Sequence, residues 1–333
     1  MGHQKLASHS KTNESEFQQA LELAEDFIRH GTPAFRHTNL ALFAAGFATF
    51  GLLYCVQPLM PEFSHHYGVS AATSALSLSL TTGVLAFAML FAGGLSDAWG
   101  RKSIMVLSLL SSAVLVLITA FMPSWSALLI VRTLLGLTLS GLPAVAMTYL
   151  SEEMHVESIG LGMGLYISGS AVGGMGGRLI SGVLADFFGW RVGVGVVGVI
   201  GVLAGLVFWW ALPPSRHFIA QPLRWRTLLG RFTGMFRDRG LPWLFVEGFL
   251  LLGAFVTVYN YLGYRLLAPP YNLSQAVVGL IFSIYLVGTF SSAWMGDLAG
   301  RLGRRKVLWT AFALMLMGVL LTLMSSLWLI ALG

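Results

Sequence analysis

Nine runs of mostly apolar residues, each of about 20 and so long enough to cross a bilayer core, decide what this chain can become. They fall at about 39–61, 73–95, 103–122, 126–149, 161–184, 192–212, 241–263, 274–295 and 307–325, and apolar character resumes at Trp328–Gly333, the start of a tenth. Inside a bilayer no water can pair the backbone, so each run must satisfy its own N–H and C=O groups as a helix. The chain is therefore predicted to be an all-α membrane protein. Only 10% of its 333 residues are Asp, Glu, Lys or Arg, against about 25% in soluble domains, which excludes a soluble enzyme.

The basic residues between the runs give the direction. On one side lie Lys5, Lys11, Arg29, Arg36, Arg101, Lys102, six Arg between 216 and 239, Arg301, Arg304, Arg305 and Lys306, together 16 of the 20. The opposite loops hold Arg191 and Arg265, while Arg132 and Arg178 fall inside runs. Basic loops stay cytoplasmic, so the amino terminus is expected inside. The net charge of +6 then reads as topology signals, not as a nucleic-acid surface.

Residues 1–38 lack the pattern of a cleaved signal peptide, so the first run is expected to be its own targeting signal. In that tail Ser15-Glu16-Phe17-Gln18 reads as a capping box, and Phe17, Leu21, Ala24 and Ile28 as the stripe of a short amphipathic helix resting on the protein's own loops. One cysteine, Cys55, gives neither a disulfide nor a thiolate metal site. His65 and His66, adjacent in an outer loop, cannot share a helix face and read as surface residues. Gly193-Val194-Gly195-Val196-Val197-Gly198 matches a dinucleotide fingerprint, yet it lies in an apolar run with no strand before it. No cofactor or metal is expected.

The loops after the second and eighth runs resemble each other. The first reads Gly93-Gly94-Leu95-Ser96-Asp97-Ala98-Trp99-Gly100-Arg101-Lys102 and the second Gly296-Asp297-Leu298-Ala299-Gly300-Arg301-Leu302-Gly303-Arg304-Arg305. Leu95 and Leu298, Gly100 and Gly303, Arg101 and Arg304, and Trp125 and Trp328 are each 203 apart. Such spacing describes a parallel internal repeat, its halves joined by an Arg-rich segment with Pro213-Pro214.

These loops resemble the G-x-L-x-D-x-x-G-R-[KR] signature of the major facilitator superfamily, nearly complete in the first copy and degenerate in the second. The resemblance extends to Arg132-Thr133-Leu134-Leu135-Gly136, similar to the family's R-x-x-x-G motif, and to the glycine-dense fifth run ending in Asp186-Phe187-Phe188-Gly189-Trp190-Arg191. It is nearest to drug and sugar efflux members and covers about 39–333, nine of the family's twelve helices. It implies a cytoplasmic tail (1–38), a complete six-helix amino-terminal bundle (39–212), a cytoplasmic linker (213–240), and three helices plus the start of a fourth from the carboxy-terminal bundle (241–333).

For the first signature the residues suggest a tight turn at Gly94 and Gly100 with Asp97 beside Arg101; a purely topogenic loop is the other reading. The resemblance implies that Asp97 latches one state against the family's eleventh helix, which lies beyond the nine runs counted above. In the second copy, Gly296, Gly303, Arg304 and Arg305 keep the turn and its basic residues, while Gly300 stands where the first copy has Asp97. Arg132, about two turns inside its run, must face protein, either to assist proton transfer, as the family motif implies, or to bond backbone carbonyls. Glu247 is the clearest carboxyl within a run; desolvation would favour its protonated form, unless it reaches the interface. Gly169, Gly173 and Gly177 form one smooth helix face, an antiporter-like stripe or simple close packing. Gly174 replaces that motif's proline, and Arg178, which follows, is a further proton-coupling candidate beside Arg132 and Glu247.

The expected function is proton-coupled efflux of a small organic compound, of drug or sugar type, by a monomeric secondary transporter in a bacterial inner membrane. A non-transporting fragment of such a transporter and a proton symporter for uptake remain the alternatives.

Overall fold

The computed structural model describes residues 27–221, 230, 234–238, 240–282, 284 and 301–333, and every regular element among them is helical. In the first half these are α1 (Pro33–Tyr54), α2 (Met60–Tyr67), α3 (Ala71–Ser74), α4 (Leu76–Trp99), α5 (Arg101–Thr119), α6 (Trp125–Leu139), α7 (Gly141–Glu153), α8 (Val156–Phe188) and α9 (Trp190–Ala211). The second half contributes α10 (Leu241–Leu267), α11 (Gln275–Phe282), α12 (Arg304–Thr322) and α13 (Leu327–Leu332).

Local sequence sets the starts. Thr32 accepts the Phe35 N–H at 3.2 Å ahead of Pro33, whose missing N–H costs nothing in the first turn of α1. Ser124 does the same for α6 through the Ala127 N–H at 3.3 Å. Gly100, with φ +96°, ends α4 and starts α5; Gly303, with φ +90°, precedes α12 in the same way. The repeat read from the spacing of 203 thus recurs in the backbone.

Successive spans of the first half run up and down, α3 with α4 and α6 with α7 each forming one of them. One end of the bundle carries Gly100, Gly303, the 27–32 strap and residues 213–221, and is called here the motif end; α2, α3 and the α10–α11 connection lie at the far end. Six described helices are long and apolar enough to cross a membrane: Ala71–Trp99, Arg101–Thr119, Trp125–Glu153, Trp190–Ala211, Leu241–Leu267 and Arg305–Thr322. The glycine-rich α8 and α1 fall below that apolarity, and their 33 and 22 residues span the same thickness at about 1.5 Å per residue.

Burial is concentrated in the first half. The apolar window of Trp125–Glu153 is 56% buried and that of Leu241–Leu267 is 0% buried, so one core, built on α1, α5, α6, α7 and α9, carries the packing. A small second cluster gathers Leu262, Leu266, Val278, Phe282 and Ile330.

Several expected boundaries shift. The first run stops being one helix at Tyr54, because Gln57-Pro58 cannot continue it, and Met60–Tyr67 forms a separate helix carrying His65 and His66. The fourth breaks at Ser140 into α6 and α7. The fifth extends at both ends to 33 residues. Ile28, read as the last stripe residue of a tail helix, is extended and bridges Met154; residues 15–26 of that stretch lie outside the described residues.

Candidate functional site

At the motif end, Gly94 is not in the turn as the sequence suggested. It is buried within α4, and Gly100 alone makes the reversal. Membrane helices use glycine for packing as readily as for turning. Arg101 pairs with Asp97 one helical turn back and forks onto Glu152 of α7, Nε to Oε2 at 2.9 Å and Nη2 to Oε1 at 2.8 Å. Ser96 accepts from Nη1 at 3.1 Å. Lys102 donates to the Leu212 carbonyl at the end of α9.

The linker is laced onto the same turn. The Gln221 N–H donates to Asp97 O at 2.9 Å, Phe218 lies 5.5 Å from the Arg101 guanidinium, and buried Glu153 accepts from the His217 N–H at 3.0 Å. Glu152 and Glu153 were not singled out from sequence, because neither belongs to the signature. The second copy is seen in part: Gly303 turns, Arg304 begins α12, Arg305 is exposed, and Gly296 lies outside the described residues.

Arg132 is fully buried and faces inward. Its Nε donates to Ser77 O at 2.8 Å, Nη1 to Leu52 O at 3.3 Å and Nη2 to Leu53 O at 2.9 Å. Leu52 and Leu53 lie in the last turn of α1, where carbonyls lose their helical partners, while the Ser77 carbonyl, in the first turn of α4, also accepts from Thr81 Oγ1 at 3.0 Å. Of the two readings of Arg132, this geometry is that of backbone bonding.

Gly169, Gly173 and Gly177 face α1. A Cβ on Gly169 or Gly173 would overlap the carbonyl of Phe43 or Phe47, and one on Gly177 would lie 2.5 Å from Gly51 O. The missing proline leaves α8 unbroken through Gly174, whose carbonyl accepts from Arg178 Nη1 at 2.8 Å. Arg178, 3% exposed, also donates through Nε to Gln57 Oε1 at 2.6 Å, and its guanidinium lies 4.1 Å from the Tyr54 ring and 5.7 Å from that of Tyr259.

Gln57 continues the chain across the halves, donating to Asn260 Oδ1 at 2.7 Å. These two residues are 203 apart, the period of the repeat, so the bond joins equivalent positions on the pseudo-twofold axis. Beside it the Tyr264 hydroxyl meets Ser64 Oγ at 2.7 Å, Met60 O at 2.9 Å and Ser74 Oγ. All of this lies at the far end. Glu247 stands apart, half-exposed on the first turns of α10.

Comparison with known proteins agrees with this architecture. The family profile described as Major Facilitator Superfamily matches residues 42–332. The chain is 52% identical over 290 residues to the inner membrane transport protein YnfM of Escherichia coli (strain K12), covering 87% of this chain and 70% of that one. It is 47% identical over 301 residues to the uncharacterized MFS-type transporter YybF of Bacillus subtilis (strain 168), covering 90% and 74%. Among solved structures, a bacterial homologue of the human lysosomal transporter Spinster, inward-facing and unoccupied, superposes with a TM-score of 0.65 at 19% identity over 83% of this chain and 64% of that one. At that identity the likeness speaks for the fold alone.

Proposed function

Because the chain belongs to the major facilitator superfamily and is a multi-pass membrane transporter of that family, we propose that it exports a small organic compound in exchange for protons by alternating access. The observation that carries this reading is where the described residues join the two halves. The bonds from Gln57 to Asn260 and from Tyr264 to Ser64 and Met60 join the two halves at the far end. At the motif end, Asp97 and Arg101 bond within the first half and to the linker.

With the basic loops cytoplasmic, the far end is periplasmic and this arrangement is the inward-open state. The amino terminus then lies on the cytoplasmic side of a bacterial inner membrane. Arg178 sits beneath the closed seam and is the group we assign to substrate or proton coupling. It reaches the seam through Gln57, so a change in what Arg178 binds is felt at Asn260. Arg132 acts as a structural tie. The transporting species is a monomer in the lipid bilayer, and its partners are substrate and protons.

Export is tested in energised inverted membrane vesicles by following the interior proton gradient while a panel of small organic compounds is added. A compound that dissipates the gradient with the parent chain and not with Arg178→Gln supports antiport. A compound whose movement raises the gradient, or moves without changing it, contradicts it.

A further inference from the structure

The end of α8 repeats, in inverted orientation, the turn between α4 and α5. Gly182, Leu184, Asp186 and Gly189 follow Gly93, Leu95, Asp97 and Gly100 at a constant offset of 89 residues. The backbones match: Gly100 has φ +96° and ψ 145° and donates to Ser96 O at 3.0 Å, while Gly189 has φ +85° and ψ 158° and donates to Ala185 O at 3.0 Å. In each case the next helix starts at the following residue. Because α4 runs toward the motif end and α8 away from it, the two turns stand at opposite faces of the membrane.

Their acids are used differently. Asp97 pairs with Arg101 inside its own half. Asp186 reaches into the other half, where its carboxylate accepts the Gln275 N–H at 2.9 Å and the Ala276 N–H at 2.6 Å. These are the first N–H groups of α11, which no helical carbonyl can serve, and Ser274 Oγ takes the next, from Val277, at 3.3 Å. The basic residue that follows the turn does not compete for the carboxylate: Arg191 lies 4.5 Å from the Trp190 ring, 3.3 Å from His66 Nε2 and 3.4 Å from Met122 O. Small residues let the backbones meet, since a Cβ on Gly182 would lie 3.0 Å from Gln275 O and one on Gly279 would lie 3.5 Å from Arg178 O.

We infer that Asp186 is the gating residue of the outer mouth, a carboxylate on the first bundle that holds the far end shut by capping the N-terminus of α11 on the second. A charged cap on a helix N-terminus is favourable, and this one exists only while α8 and α11 are docked. Breaking it frees α11 and opens the path to Arg178, about two helical turns deeper on α8. The inference deepens the alternating-access reading and rests on it for its consequence. The latch itself is detectable in a chain that moves no substrate.

The test is labelling of Gln275→Cys by a membrane-impermeant maleimide from outside, in the full chain carrying Cys55→Ser. Gln275 is 7% exposed, and its backbone N–H survives the substitution. Asp186→Asn should raise the labelling rate about threefold to thirtyfold, the effect of losing a partly buried charge at a helix N-terminus. Asp186→Glu should stay close to the parent rate. Ser112→Cys, in the core of the first half with 0% exposure, reports unfolding and should remain unlabelled in every background. Unchanged labelling with Asp186→Asn overturns the proposal, as does acceleration by Asp186→Glu equal to that by Asp186→Asn, or a parallel rise at Ser112→Cys. Failure of transport with the latch intact would strike the functional reading alone.

Discussion

Replacing Gly177 by alanine adds one methyl group to α8 and should cost more stability than any exposed glycine change on the same helix. Its Cβ would lie 2.5 Å from Gly51 O and 2.7 Å from Gly51 Cα. Carbon and carbonyl oxygen rest no closer than about 3.3 Å, so α1 and α8 must separate by about 0.8 Å along their contact. Neither obstacle is a side chain that can rotate away. Overpacking of this kind costs about 1–3 kcal/mol, offset by the roughly 1 kcal/mol that alanine gains over glycine inside a helix.

Gly164 supplies the reference. It is exposed on the same helix with nothing within 4 Å of a built Cβ, so Gly164→Ala collects the propensity gain without the clash. The difference between the two variants therefore isolates the clash, at about 1–3 kcal/mol. Near the midpoint this is a gap of about 2–12 °C for a bundle of this size. Thermal unfolding in detergent, followed by loss of the monodisperse peak on size exclusion, measures it. Equal melting of Gly177→Ala and Gly164→Ala would refute the claim that backbone contact along the 169, 173 and 177 face holds α1 to α8.

Arg132→Ala removes the donor to the Leu53 carbonyl and one donor each to those of Ser77 and Leu52, which keep Thr81 Oγ1 and Cys55 Sγ, at about 1–3 kcal/mol for a buried group left unsatisfied. Loss of folded protein in the same thermal assay is expected, and a stable Arg132→Ala that fails only in transport would restore the coupling role. Tyr264→Phe removes the hydroxyl that meets Ser64, Ser74 and Met60 and should speed outside labelling of Gln275→Cys without lowering the melting temperature; an unchanged rate counts against the seam. At the exposed start of α10, Asp238 Oδ1 accepts the Gly240 and Leu241 N–H groups at 2.7 and 3.0 Å, which holds its carboxyl below the usual range. A lowered pKa stabilises the folded cap above the ordinary aspartate value of about 3.9 and loses that contribution as pH falls through the folded value. Hydrogen exchange of the Leu241 amide should therefore show less protection as that range is crossed, and Asp238→Asn should abolish the dependence.

Much of the fold was legible because bilayer thickness, glycine turns and the repeat period each leave a mark in the chain order. Gly100, Gly303 and the inward Arg132 could be placed from sequence for that reason. Partners of the motif residues could not. Glu152 lies 51 residues from Arg101 and Gln275 lies 89 from Asp186, and helical periodicity carries no information about which distant helix fills a facing groove. The bond between Gln57 and Asn260 is the exception that arithmetic alone could have found, since both sit at the repeat period of 203. Gly94 was misplaced because a glycine beside a turn and a glycine beneath a packed helix look alike in one sequence. Whether Glu247 is enclosed or reaches the interface was left open by the sequence, because enclosure depends on helices from elsewhere in the chain.

Reciprocal motion of the two ends is the core of the account, and paired distance measurement in lipid tests it most directly. One spin-label pair belongs on Trp99 and Leu302, exposed repeat equivalents at the motif end, and another on Phe188 and Val277, exposed across the far-end seam. On passing from the parent chain to Asp186→Asn, the far-end pair should move apart while the motif-end pair draws together. Distances that stay fixed at both ends, or that lengthen at both, would contradict a transporter working by alternating access through this seam.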